Sequence, residues 1–162
     1  MADPAYIDAD GVLTDGEAWV ALATATIDPA AIVTFTSTDD GQVGDWSQYM
    51  DLVIVAYARG SRSFAEVGMY LNFNNDTGTN YTRQQLKGSG AAVSAYSSTG
   101  RTNILCGDMP AATATANQFG VCIIQISDIN SGKYKAVFSQ NAADRDGAGW
   151  VELQTGAWQS QS

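Results

Sequence analysis

Residues 67–73 read VGMYLNF, and this stretch decides the fold. Val67, Met69, Leu71 and Phe73 fall on one side of an extended chain, and Gly68, Tyr70 and Asn72 on the other. Side chains of a strand alternate between faces, so a period of two predicts a half-buried strand, not a helix. The polar run NNDTGTN at 74–80 closes it, because Asn and Asp side chains fold back on their own backbone in Asx-turns.

The same pattern extends in both directions. Upstream, Trp19, Ala21, Ala23, Ala25 and Ile27 alternate with Val20 and Leu22 until Asp28-Pro29 breaks the run. Residues 31–36 lead through Ile32 and Val33 to Phe35, and STDDGQVGD at 37–45 reads as a loop. YMDLVIVAYA at 49–58 is the most apolar run and predicts a central strand covered on both faces. Downstream, residues 81–87 read as a helical turn or an irregular crossing, and weaker strands fall near 92–96 and 102–106. FGVCIIQIS at 119–127 predicts another buried strand, joined through the Asn130-Ser131-Gly132 turn to KYKAVFS at 133–139. A late strand covers 149–153. No window holds a 3.6-residue period. Short strands separated by Gly, Asn and Asp turns predict an all-β, antiparallel β-sandwich of jelly-roll type. The expected organisation is an extended N-terminal arm over 1–16 and a single sandwich domain over 17–162.

Composition narrows the function. The 162 residues suit one domain, with 45% hydrophobic and 15% charged residues. The net charge is -9, so a duplex nucleic acid, which needs a basic footprint, is not the expected partner. The absence of histidine removes Ser–His–Asp and Cys–His nucleophilic sites and His-ligated metals. The opening MADPAYIDADG lacks the basic and apolar regions of a secretory signal, and the longest apolar run falls short of the ~18–20 residues of a membrane span. Cys106 and Cys122 read as small buried hydrophobes.

Carboxylates cluster at Asp39, Asp40 and Asp45, at Asp144 and Asp146, and at Asp8 and Asp10. They read first as turn formers and solvated charges, with a calcium loop or a catalytic pair as the alternatives. No catalytic, cofactor-binding or metal-binding residue is assigned. The aromatic residues are the stronger lead: Trp46, Tyr49, Trp150 and Trp158 lie in or beside loops, where they would pack strand ends, anchor a partner or stack on a sugar. Arg59 and Arg62 flank a Gly60-Ser61 turn and would meet an acidic neighbour or stay solvated. These six are the candidate interface residues.

The order of motifs carries a resemblance. EAWVAL at 17–22 leads to IVTFT at 32–36, then DLVIVAYAR at 51–59, LNFNNDTGTNY at 71–81 and CIIQISDINSGKYK at 122–135. Over residues 17–158 this resembles a jelly-roll module in virion proteins of tailed bacteriophages, marine and cyanobacterial phages included, among head decoration (cement) proteins and tail-fibre or appendage domains. Members continue with further strands after the position of Trp158; this chain departs from that pattern, and a neighbouring chain or the 1–16 arm is expected to cover the edge. The resemblance implies a non-enzymatic capsid decoration protein, made in the host cytoplasm and seated on the particle exterior. Its expected partners are the major capsid protein or other virion subunits and further copies of itself in a homotrimer, with neither nucleic acid nor membrane. The alternative is a tail-fibre domain that recognises a host surface glycan.

Overall fold

The computed structural model describes residues 19–27, 32–38, 40, 41, 44–90 and 92–160. The expected 1–16 arm lies outside them. Contacts divide the chain into two units, Met1–Met50 and Asp51–Ser162.

In the first unit, residues 19–27 and 32–36 form no strand and are largely exposed, which corrects the two strands expected there. Period-2 alternation defines a face but supplies no partner. Here Ala21, Ala23 and Ala25 fill the alternating set with little apolar area to drive docking. Among the described residues of this unit, Trp46–Gln48 form a short 3₁₀ turn. Asp45 caps it: Oδ1 accepts from the Ser47 N–H at 2.9 Å and Oδ2 from the Gly41 N–H at 3.1 Å. Hydrogen bonding by the Ser47 side chain, together with the Ser47 and Gly41 N–H groups, holds the Asp45 carboxyl below its usual range.

The second unit is an all-β sandwich of antiparallel strands: β1 (Leu52–Ala58), β2 (Glu66–Leu71), β3 (Tyr81–Ser89), β4 (Ala92–Arg101), β5 (Ile104–Pro110), β6 (Gly120–Ser127), β7 (Lys135–Ala143) and β8 (Trp150–Trp158). Six strands form one sheet in the order β1-β6-β7-β8-β3-β4, and β2 and β5 form the other. β5 lies across β6, β7 and β8. Between the sheets sit Tyr81, Ile104, Cys106, Cys122, Ile124, Ile126, Val137 and Trp158, with Met69, Leu71 and Phe73 packed against them. Met69, Leu71 and Phe73 of the alternate set predicted for residues 67–73 thus pack on the core.

Two expectations change. Residues 52–58 form an edge strand, not a central one, with Val55 69% and Tyr57 72% exposed. The run is apolar on both faces, but only one face is covered. Residues 81–87, expected as a helical turn or crossing, are the body of β3, flanked by β4 and β8. The residues of β3 that share the inner register are Tyr81, Arg83, Gln85 and Lys87, so polar side chains mask the alternation a hydrophobic pattern would show.

Tyr81 ties the start of β3 to the 74–80 turn. Its buried hydroxyl accepts from the Phe73 N–H at 3.1 Å and donates to the Asp76 carbonyl at 2.9 Å. β5 carries a bulge where the register shifts between Met69 and Tyr70. Gly107 sits there at φ +148°, and a Cβ on it would fall 2.4 Å from that of Asn141.

Candidate functional site

The six-stranded sheet has an unusual division of faces. Toward β5 it presents apolar residues on β6 but Lys135, Ser139 and Asn141 on β7, and Glu152 and Gln154 on β8, all buried. Away from β5 it presents the apolar set. Val55 lies opposite Ile123, Ile123 opposite Gln140, Gln140 opposite Leu153, Leu153 opposite Leu86, and Leu86 opposite Ala95. The neighbouring row runs Tyr57, Val121, Ala142, Val151, Gly88, Val93. A third row runs Val53, Gln125, Phe138, Thr155, Gln84, Ser97. None of these residues carries a charge, in a chain of net charge -9. Most of the large apolar ones are exposed. An apolar surface of this extent is characteristic of an interaction site.

Among the described residues, the outward face carries no deep cavity at its centre. Its depression, between Val121, Ile123, Gln140, Ala142, Val151 and Leu153, holds about 170 Å³. Ligand pockets run to ~300–1,000 Å³, so this shape suits a broad partner surface better than a small molecule. At one edge Tyr57 stacks on Phe119, with centroids 4.9 Å apart.

The expected interface residues fare differently. Trp150 and Trp158 are each 4% exposed, a correction: their rings pack the interior instead of meeting a partner. Each indole N–H has an internal acceptor, Asn141 Oδ1 at 2.8 Å for Trp150 and Asp76 Oδ2 at 2.6 Å for Trp158. Trp158 also stacks on Phe73. Arg59, expected to reach an acidic neighbour, instead donates to the carbonyls of Thr115 (2.7 Å), Gln118 (2.9 Å), Ala114 (2.8 Å) and Ala112 (3.4 Å) and shapes the loop after β5. Arg62 is exposed, with its guanidinium over the Phe64 ring. Trp46 opens the 3₁₀ turn of the first unit and Tyr49 follows it, both half-buried, and burial pushes the Tyr49 hydroxyl up. The loop carboxylates that are described act in turns: Asp45 as a cap, Asp144 accepting from the Gly147 N–H at 3.1 Å, and Asp76 accepting from Gly78 and Asn80.

A second arrangement went unseen in the sequence. Lys87 of β3 and Glu152 of β8 are direct register partners on the inner face. Lys87 Nζ lies 3.0 Å from Glu152 Oε1 and 2.7 Å from Oδ2 of Asp108, which comes from β5 in the other sheet. Glu152 Oε2 accepts from the Asp108 N–H at 3.1 Å and from Gln154 Nε2 at 3.0 Å. Glu66 Oε2 stands 3.5 Å from Nζ at the half-exposed rim. Nζ also sits 5.0 Å from the centre of the Trp150 ring. Burial alone would lower the Lys87 ammonium, but the Asp108 and Glu152 carboxylates outweigh it and hold its pKa at about 12. Burial pushes the Glu152 carboxyl up, against the opposing pull of Lys87.

Among the described residues no group of three or more His, Cys, Asp or Glu side chains is placed to hold a metal ion. No family model, curated protein or solved structure matches the chain.

Proposed function

We propose that this chain is a non-enzymatic structural protein of a tailed-phage virion, a jelly-roll-type capsid decoration protein that grips the outer shell and its own copies through subunit contacts. The observation that carries this reading is the charge-free, apolar outward face of the six-stranded sheet. Six strands at ~4.8 Å spacing and about seven residues at ~3.3 Å make a face on the order of 600–700 Å². That approaches the ~800 Å² per partner of a standard interface. In a body of net charge -9, a face without charged side chains adds no local like-charge repulsion to a contact, which favours association there. Binding the assembled shell but not free subunits stabilises the shell by mass action. An acidic protein also suits the particle exterior better than contact with packaged genome.

The test is quantitative mass spectrometry of purified particles that carry the protein. A copy number on the scale of the shell subunits supports the reading. A copy number on the scale of the tail supports the tail-fibre alternative, and absence from particles overturns both. That alternative, recognition of a host glycan, is favoured by the exposed Tyr57–Phe119 stack, which offers a sugar a flat aromatic surface. It predicts that Tyr57→Ala abolishes glycan retention on an array of host polysaccharide.

A further inference from the structure

We propose that Lys87 and Asp108 condense to an amide that links β3 of the six-stranded sheet covalently to β5 of the opposite sheet, with Glu152 as the proton carrier. This inference stands apart from the virion reading and depends only on the Lys87 cluster.

The reacting groups are already within hydrogen-bond distance. Lys87 Nζ is 2.7 Å from Asp108 Oδ2, and the carbon it must attack is one bond beyond that oxygen. All three side chains project from strands of the sandwich. The bulge beside Gly107 sets the Asp108 N–H against Glu152. Groups held in this way react with effective molarities of about 10⁵–10⁸ M. The site is also largely shielded from solvent, with Lys87, Asp108 and Glu152 side chains 16%, 18% and 0% exposed. The Trp150 ring closes one side.

The number of carboxylates separates this proposal from a plain ion pair. One carboxylate neutralises one ammonium, and Asp108 makes the shortest contact. Glu152 is then a surplus acid and the most deeply buried of the set, which an ion pair does not require. A buried carboxyl with a raised pKa is suited to accept a proton and return it. It touches the nucleophile through Oε1, while Oε2 is fixed by Asp108 and Gln154.

The step balances. A proton passes from the Lys87 ammonium through Glu152 to the Asp108 carboxylate, leaving an amine and an acid. The Nζ lone pair adds to Asp108 Cγ and forms the C–N bond. Glu152 takes the next proton from nitrogen and delivers it to the departing Oδ. The C–O bond breaks, one water leaves, and Glu152 ends as it began. No oxidant or further reactant takes part, and one positive and one negative charge disappear from the interior.

Intact mass spectrometry of the denatured full-length protein tests this. The expected mass falls short of the sequence mass by one water, and a protease digest contains a branched peptide joining the Lys87 and Asp108 segments. Lys87→Arg and Glu152→Gln are expected at full sequence mass. A wild-type protein at full mass overturns the proposal. So does a water deficit that persists in Lys87→Arg, which would instead mark a succinimide at an Asp-Gly pair such as Asp146-Gly147. Should a variant fail to fold, the branched peptide in the wild-type digest decides alone.

Discussion

Leu153 of β8 stands directly opposite Leu86 of β3, and both point away from the second sheet, 43% and 48% exposed. One residue along β8, Glu152 faces inward with its carboxyl fully buried. The usual arrangement of apolar inside and polar outside is reversed in the middle of this strand, at Glu152 and Leu153. Burying a carboxylate is costly, and leaving leucines in water forgoes the benefit of covering them. Both costs have a rationale if the inner face carries chemistry and the outer face carries contacts.

Leu153→Lys is expected to leave the fold intact, with stability changed by less than about 1 kcal/mol, because the side chain borders solvent. Association should weaken strongly, since a desolvated, unpaired charge would sit in the interface. Thermal unfolding and sedimentation velocity on the same sample separate the two effects.

Tyr81→Phe removes a buried hydroxyl that serves the Phe73 N–H and the Asp76 carbonyl. The expected loss is about 1–3 kcal/mol, because both partners lose a buried hydrogen bond. Urea unfolding measures it, with an unchanged slope if the native state stays compact.

Arg59→Ala leaves four loop carbonyls without their shared donor. The loop over residues 111–119 should become the first site of proteolysis while the β-sheet spectrum persists. Arg59→Lys should rescue only partly, because an ammonium cannot reproduce the fan of a guanidinium.

Much of the sandwich is legible in the sequence, and the parts that are not have physical causes. Residues 67–73 supply β2 where the alternation places a half-buried strand, and 119–127 supply β6, which is half-buried with Val121 and Ile123 exposed where a buried strand was expected. The IIQI run at 123–126 is apolar on both sides, and that is a signal of two contact surfaces. Burial within one chain and burial between chains leave the same mark, so 52–58 reads as a central strand when it is an edge. The inner residues of β8 are hidden more deeply. In VELQ at 151–154 the hydrophobic pattern turns Val151 and Leu153 inward, whereas Glu152 and Gln154 take those places. Nothing local announces this, because the partners of Glu152 lie on β3 and β5. Trp150 and Trp158 flank loops in the chain but close the ends of β8 in space, where their indole N–H groups find acceptors on β7 (Asn141) and in the distant 74–80 turn (Asp76).

Cys106 and Cys122 are free and buried, and Cys122 Sγ donates to the Cys106 carbonyl at 3.3 Å. Burial pushes both thiols up, Cys122 to about 12 and Cys106 further. A folded-state pKa raised above the unfolded value contributes stability that is complete below the ordinary value of 9.0 and is lost as pH rises toward the folded value. Stability should therefore fall above pH 9, and less steeply in a Cys106→Ala, Cys122→Ala protein. Neither thiol should react with a disulfide reagent until the protein unfolds.

Hydroxyl-radical footprinting, comparing the isolated protein with the protein on its particle, tests the assembly role most directly. Tyr57, Leu86, Phe138 and Leu153 are predicted to label freely in isolation and to be shielded on the particle, while Tyr134, exposed in the turn before β7, stays labelled in both. Equal labelling of the outward face in the two states, with protection elsewhere on the surface, would contradict the account.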